Sequence, residues 1–133
     1  MSYDLVEREV VTGRGLEARV LLRSAMRLND AITGASPEEL FTAVSLNNKL
    51  WLLFSSEIES GRVALPPEVA HNIVALAAFV LKSAPQAFSR DRVTLETLVN
   101  INRRIAAGLS TQAADSESAP AAPVPTAGIA TSA

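Results

Sequence analysis

The stretch of sequence that decides the fold is residues 36–59, which read SPEELFTAVSLNNKLWLLFSSEIE. Its start is typical of a helix N-terminus, because Ser36 can accept a hydrogen bond from a free N–H, Pro37 suits the first helical position, and Glu39 can bond back to the cap. At about 100° per residue, large apolar side chains then fall on one stripe. Its members are Leu40, Val44, Trp51, Phe54 and Ile58. The pattern predicts a long central helix.

This helix carries more apolar surface than one stripe. Phe41 and Leu52 lie beside the stripe, and Leu46, Leu50 and Leu53 continue the surface around the other flank. A helix that is apolar around most of its circumference is either inserted among other helices or docks a partner.

Composition limits the class of protein. The chain has 133 residues, 48% of them hydrophobic, which is enough for one domain with a sizeable core. A net charge of −2 argues against a general polyanion binder, and the absence of cysteine excludes disulfides and thiolate chemistry. The acidic start is unlike a signal peptide, and no apolar run is as long as a membrane span. We therefore expect a soluble cytoplasmic protein.

Three more helices are predicted around the central one. They are residues 16–33 closed by Gly34, a helix from Pro66-Pro67 that ends or kinks at Pro85, and a helix from near Asp91 or Thr94 to Ala107 capped by Gly108. No segment shows strand alternation. The sequence predicts an all-α fold, a small antiparallel helical bundle of about four helices.

The predicted domain organisation has three parts. Residues 1–12 form an N-terminal arm that a break at Thr12-Gly13-Arg14-Gly15 ends, and residues 13–109 form the bundle. Residues 110–133 are mostly Ala, Ser, Thr and Pro with few bulky groups, so we expect a disordered tail.

Residues suited to catalysis are scarce. The single histidine, His71, has no metal-ligand or triad partner at a suitable spacing, and Glu57 and Glu59 point in different directions on a helix. Gly13-Arg14-Gly15 lacks the strand and third glycine of a dinucleotide motif. The sequence predicts no enzyme, no cofactor and no metal.

Polar groups on the seams are more informative. Asn47 interrupts the central stripe, and Asn102 lies between Leu98 and Ile105 in the last helix. A buried amide is costly unless its hydrogen bonds are met, so these asparagines either bond across helices and fix register or bond a partner's backbone. Trp51 and Phe54 have the same two interpretations, core or binding hot spot.

Several motifs together resemble the FlaF family of flagellar biosynthesis regulators from alphaproteobacteria. They are Leu16–Leu22 (LEARVLL), Leu46–Trp51 (LNNKLW), Leu65-Pro66 leading into Ala78–Leu81 (AFVL), and Leu98–Leu109 (LVNINRRIAAGL). The resemblance covers roughly residues 3–109. It implies a non-enzymatic cytoplasmic protein needed for flagellin production and export, which binds flagellin and works with or against FlbT, a regulator of flagellin translation.

A physical route for flagellin binding is that surplus apolar surface shelters an amphipathic terminal helix of flagellin in a groove. The candidate binding residues are Asn47, Leu50, Trp51 and Phe54, with Phe79 and Asn102 as second walls and Arg19, Arg23 and Arg27 as a polar rim. The three arginines, spaced i, i+4, are otherwise a solvated face.

Two rival functions stay open. One is an adaptor that binds flagellin mRNA through its arginines, although a neutral bundle is a poor platform for single strands. The other is a structural homo-oligomer in which the apolar surfaces pair with themselves. The resemblance implies contact with nucleic acid only indirectly and no membrane, and oligomeric state stays undetermined.

Overall fold

The all-α prediction is confirmed by a computed structural model, which describes residues 14–118 and the side chains of residues 17–111. Within this part of the chain there are five helices and no strand. They are α1 (Arg14–Ile32), α2 (Pro37–Glu59), α3 (Pro67–Lys82), α4 (Ala84–Phe88) and α5 (Arg92–Ser118). The predicted arm at residues 1–12 lies outside the described residues, as do residues 119–133, and the three-part division stays a prediction.

The start of α2 forms as its sequence predicts. Ser36 Oγ accepts from the Glu39 backbone N–H at 3.1 Å, and the Ser36 N–H donates to Glu39 Oε1 at 2.9 Å. Pro37 occupies the first turn. This capping box satisfies two backbone donors that the helix itself leaves free, which fixes where α2 begins.

Two predicted helix ends are wrong. Helix α1 begins at Arg14 rather than Leu16, so Arg14 and Gly15 are helical. Helix α5 continues past Gly108 to Ser118, so residues 110–118 of the predicted tail are helical too. A glycine weakens a helix by only about 1 kcal/mol, and the buried Leu109 beyond it holds the helix on the core.

Helices α1 and α5 pack chiefly against each other and run antiparallel, because Asn102 contacts Leu21 while Arg90 contacts Ala31. Buried alanines on both helices allow a close approach. They are Ala18 and Ala25 on α1 and Ala106 on α5. Helix α2 covers this pair and α3 packs on α2, so the predicted stripe of α2 lies in the interior.

Arg90 joins the α4–α5 connection to the α1–α2 connection. Its guanidinium donates to Ala31 O at 2.8 Å and Ala35 O at 2.7 Å, one of them a last-turn carbonyl of α1. Its φ of 60° is strained for a residue with a side chain. The next residue, Asp91, accepts from the N–H and hydroxyl of Thr94 and so starts α5; these bonds hold the pKa of Asp91 below its ordinary value.

Replacing Arg90 by alanine is expected to lower the free energy of unfolding by about 2 kcal/mol, because two charge-assisted hydrogen bonds to half-buried carbonyls disappear. Urea unfolding followed by circular dichroism measures the loss. Arg92→Ala is the control, since Arg92 makes only an exposed pair with Glu96 and should change stability by less than about 0.5 kcal/mol. Equal effects of the two replacements would contradict the role given to Arg90.

Candidate partner-binding site

The nine predicted binding residues separate into an internal and a surface set. The internal set is Asn47, Trp51, Phe54 and Asn102, all of them buried. The surface set is Arg19, Arg23, Arg27, Leu50 and Phe79, which are exposed or half-buried. In this conformation a partner can contact only the surface set.

A hydrogen-bonded network at the centre of the bundle contains three members of the internal set, Asn47, Trp51 and Asn102. Trp51 Nε1 donates to Asn102 Oδ1 at 2.9 Å, and Asn102 Nδ2 donates to Asn47 Oδ1 at 2.8 Å and Leu21 O at 3.2 Å. Ser24 Oγ donates to Asn47 Oδ1 at 2.8 Å. The network links α1, α2 and α5, which agrees with the interpretation that the asparagines bond across helices.

The direction of every bond in this network follows from Trp51. An indole N–H can only donate, so the Asn102 oxygen must face it and the Asn102 amide nitrogen must face Asn47. The Asn47 oxygen must then accept, and the Ser24 hydroxyl must donate to it. Turning either amide over would place two donors opposite each other. Asn47 Nδ2 is buried and meets no acceptor among the described residues, so the network carries the cost of one unsatisfied donor.

Three members of the surface set, Arg23, Arg27 and Leu50, line a groove between α1 and α2, which we call the α1–α2 groove. It encloses about 290 Å³ and is lined mainly by apolar side chains. The apolar members are Val20, Leu46, Leu50 and Leu53. Leu46 is 41% exposed and Leu53 60% exposed, although the core beneath them is closed. Apolar side chains at this exposure in one groove are typical of a docking surface.

Cationic side chains border the α1–α2 groove on both helices. Arg23 and Arg27 stand on α1 and Lys49 on α2, all exposed. Among residues 17–111, no carboxylate lies within ion-pair distance of these three groups. Arg27 also lines an adjacent recess, whose other charged members are acidic. The site therefore suits an apolar ligand with acidic flanks.

Sequence reasoning identified only part of this groove. It named Leu50, Arg23 and Arg27 as site residues, but it left Val20, Ser24 and Lys49 out. Leu46 and Leu53 were predicted to lie on an apolar flank of the central helix, but not to bind a partner. Phe79 and Arg19 do not line the groove. The available signal was the i, i+4, i+7 spacing of Leu46, Leu50 and Leu53, which places them on one face away from the core stripe.

A second apolar surface lies on a different face of α2. Phe41 and Leu52 are exposed there, and the Phe41 ring contacts Phe88 with 5.5 Å between centroids. Phe88 thus packs on the body of the bundle. This surface lacks the paired cationic borders of the α1–α2 groove.

Two features of other protein classes are missing from the described part of the chain. None of its helices combines the length and the hydropathy that crossing a membrane requires. Residues 14–118 also hold no group of three acidic, histidine or cysteine side chains placed to bind a metal ion.

Comparison with known proteins identifies one family. The model of a family described as flagellar protein FlaF matches residues 1–109. No curated protein and no solved structure matches the chain. The match covers the four long helices up to Leu109 and ends within α5.

Proposed function

Because this chain belongs to the FlaF family of flagellar proteins, as its sequence motifs predicted, we propose that it binds flagellin in the cytoplasm. In this proposal it acts as a chaperone and export adaptor, and it promotes flagellin synthesis and secretion together with FlbT. The family is regulatory rather than enzymatic, which fits a role in binding.

The observation that carries the proposal is the α1–α2 groove on a bundle whose core is already closed. The apolar stripe of α2 is buried in the core of the bundle, yet Leu46 and Leu53 remain exposed in the groove. Flagellin subunits that are not yet assembled have amphipathic terminal helices, which aggregate when their apolar faces are free. A flagellin helix bound in the α1–α2 groove would cover its own apolar face and the apolar side chains of the groove. This is the helix-in-groove mode of recognition.

The charge of the groove selects among amphipathic helices. With Arg23, Arg27 and Lys49 at its borders, the groove favours a helix that carries Asp or Glu beside its apolar stripe. Such pairs at the rim speed association and suppress wrong partners more than they add affinity. Binding to flagellin should therefore weaken moderately as salt is raised.

Replacing Arg27 by glutamate tests the proposal directly. We expect the affinity for monomeric flagellin, measured by calorimetry, to fall about tenfold, because one attractive charge becomes repulsive. Arg103→Glu is the matched control, since Arg103 is exposed on α5 and lines none of the described grooves, and its effect should stay within about twofold.

The outcomes distinguish the rival functions. Undetectable binding of flagellin by the wild-type protein would refute the proposal. Binding of flagellin mRNA that is lost equally in both arginine variants would favour the adaptor for RNA. Self-association seen by light scattering, in the absence of flagellin, would favour the homo-oligomer.

A further inference from the structure

Ser24 stands where the buried network meets the α1–α2 groove. It lines the groove beside Leu50, and only 6% of its surface is exposed. Its hydroxyl donates to Asn47 Oδ1 at 2.8 Å. The other uncharged residues that line the groove are apolar, Val20 and Leu46 among them. Ser24 thus contributes a polar group to a largely apolar binding surface.

The network fixes what Ser24 offers to a ligand. A hydroxyl has one hydrogen to donate and two lone pairs that accept. The indole N–H of Trp51 can only donate, so it fixes the orientation of the Asn102 amide, which in turn fixes that of Asn47. The Asn47 oxygen then accepts the hydrogen of the Ser24 hydroxyl. Ser24 Oγ can therefore only accept a hydrogen bond from a bound molecule. Hydrogen bonds in the core therefore decide that this hydroxyl acts as an acceptor toward the groove.

A hydrogen-bond acceptor that is covered by a bound helix needs a donor from that helix. Covering an unpaired hydroxyl oxygen with apolar side chains forfeits the hydrogen bond that the oxygen makes in water. A ligand with a donor at this position avoids the loss, and one without it binds less tightly. A lysine or arginine is unfavourable as the donor, because Arg23 and Arg27 border the same groove. The fitting donor is neutral, an Asn, Gln, Ser or Thr side chain.

We propose that Ser24 is a specificity-determining residue of the α1–α2 groove, which selects an amphipathic helix with acidic flanks and one neutral hydrogen-bond donor within its apolar stripe. This inference rests on the proposed function, since it concerns the same groove. It goes further in stating which ligand atom meets which protein atom. Asn47 and Asn102 are positioning residues here, because they act on the ligand only through Ser24.

A double-mutant cycle tests the inference with flagellin as the probe. Each Asn, Gln, Ser and Thr in the terminal helices of flagellin is replaced by alanine, and every variant is titrated into wild-type protein and Ser24→Ala by calorimetry. We expect Ser24→Ala to weaken binding about fivefold. One flagellin replacement should weaken binding to the wild type by a similar factor and have no further effect on Ser24→Ala.

The cycle separates recognition from folding. Loss of stability in Ser24→Ala would lower affinity for every flagellin variant alike, whereas a hydrogen bond produces coupling to one donor only. Ser56→Ala is the matched control, because Ser56 is exposed on α2 outside the groove, and it should leave affinity unchanged. If Ser24→Ala fails to fold, Ser24→Cys replaces it, since a thiol keeps the size and is a weak acceptor.

The result also tells this inference apart from the proposed function. Flagellin binding with strictly additive replacements would overturn the role of Ser24 and leave the groove as the binding site. Failure of the wild type to bind flagellin would overturn both. Coupling to a single neutral donor would establish the hydrogen bond.

Discussion

Replacing Asn102 by alanine is expected to lower the free energy of unfolding by about 3–5 kcal/mol, the largest effect on stability that we predict. Asn102 is fully buried and joins Trp51, Asn47 and Leu21 by three hydrogen bonds. Alanine leaves the indole N–H of Trp51 buried without an acceptor, and it opens a cavity between α1, α2 and α5. Each defect alone costs about 1–3 kcal/mol.

Urea unfolding followed by circular dichroism measures this loss. Small domains are stable by about 5–15 kcal/mol, so the variant should still fold at low temperature but with a clearly lower transition midpoint. Asn100→Ala is the matched control, because Asn100 is the same residue type on the same helix and is exposed. We expect it to change stability by less than about 0.5 kcal/mol. A loss below about 1 kcal/mol for Asn102→Ala would show that the network does not hold the bundle together.

Replacing Leu53 by aspartate is expected to weaken flagellin binding about 100-fold, the largest effect on affinity that we predict. Leu53 is an apolar wall of the α1–α2 groove. The variant loses the burial of a leucine, worth about 1.5–3 kcal/mol, and places a charged carboxylate under the bound helix. It also adds a negative charge opposite the acidic flanks that the groove selects. Calorimetric titration with monomeric flagellin measures the change.

Leu52→Asp is an unusually close control. Leu52 immediately precedes Leu53 on the same helix and is 57% exposed, against 60% for Leu53. It nevertheless faces a different side of α2. Both variants should therefore lose similar and small amounts of stability. Only Leu53→Asp should lose affinity. Equal loss in the two variants would mean that flagellin docks elsewhere on α2, and loss only in Leu52→Asp would assign binding to the face that carries Phe41.

Much of the fold followed from local chemistry. The capping box at Ser36, the left-handed Gly34 at the end of α1 and the stripe of α2 each depend on a few neighbouring residues, and each was predicted as found. Helix ends without such a signal were less certain. Gly108 looked like a cap, but packing of the following Leu109 carries α5 onward, and no local pattern reveals that contact.

The binding site was predicted less well, because it depends on which apolar face is covered. Periodicity showed that α2 has more apolar surface than one stripe. The sequence left open whether Trp51 and Phe54 belong to the core or to a binding surface, although both were candidate binding residues. The fold uses the side with Trp51 and Phe54 for the core and leaves the side with Leu46 and Leu53 in the groove. A large aromatic side chain gains more by burial than a leucine does, which explains the choice.

The sequence by itself therefore determined that the chain is helical, where most helices begin, and that apolar surface is left over. The tertiary structure alone decided which surface that is. The reason is that caps and periodicity arise from residues within two turns of each other, whereas burial arises from contacts between distant ones. Trp51 and Asn102 are 51 residues apart in the sequence, and their hydrogen bond exists only once α2 and α5 have packed.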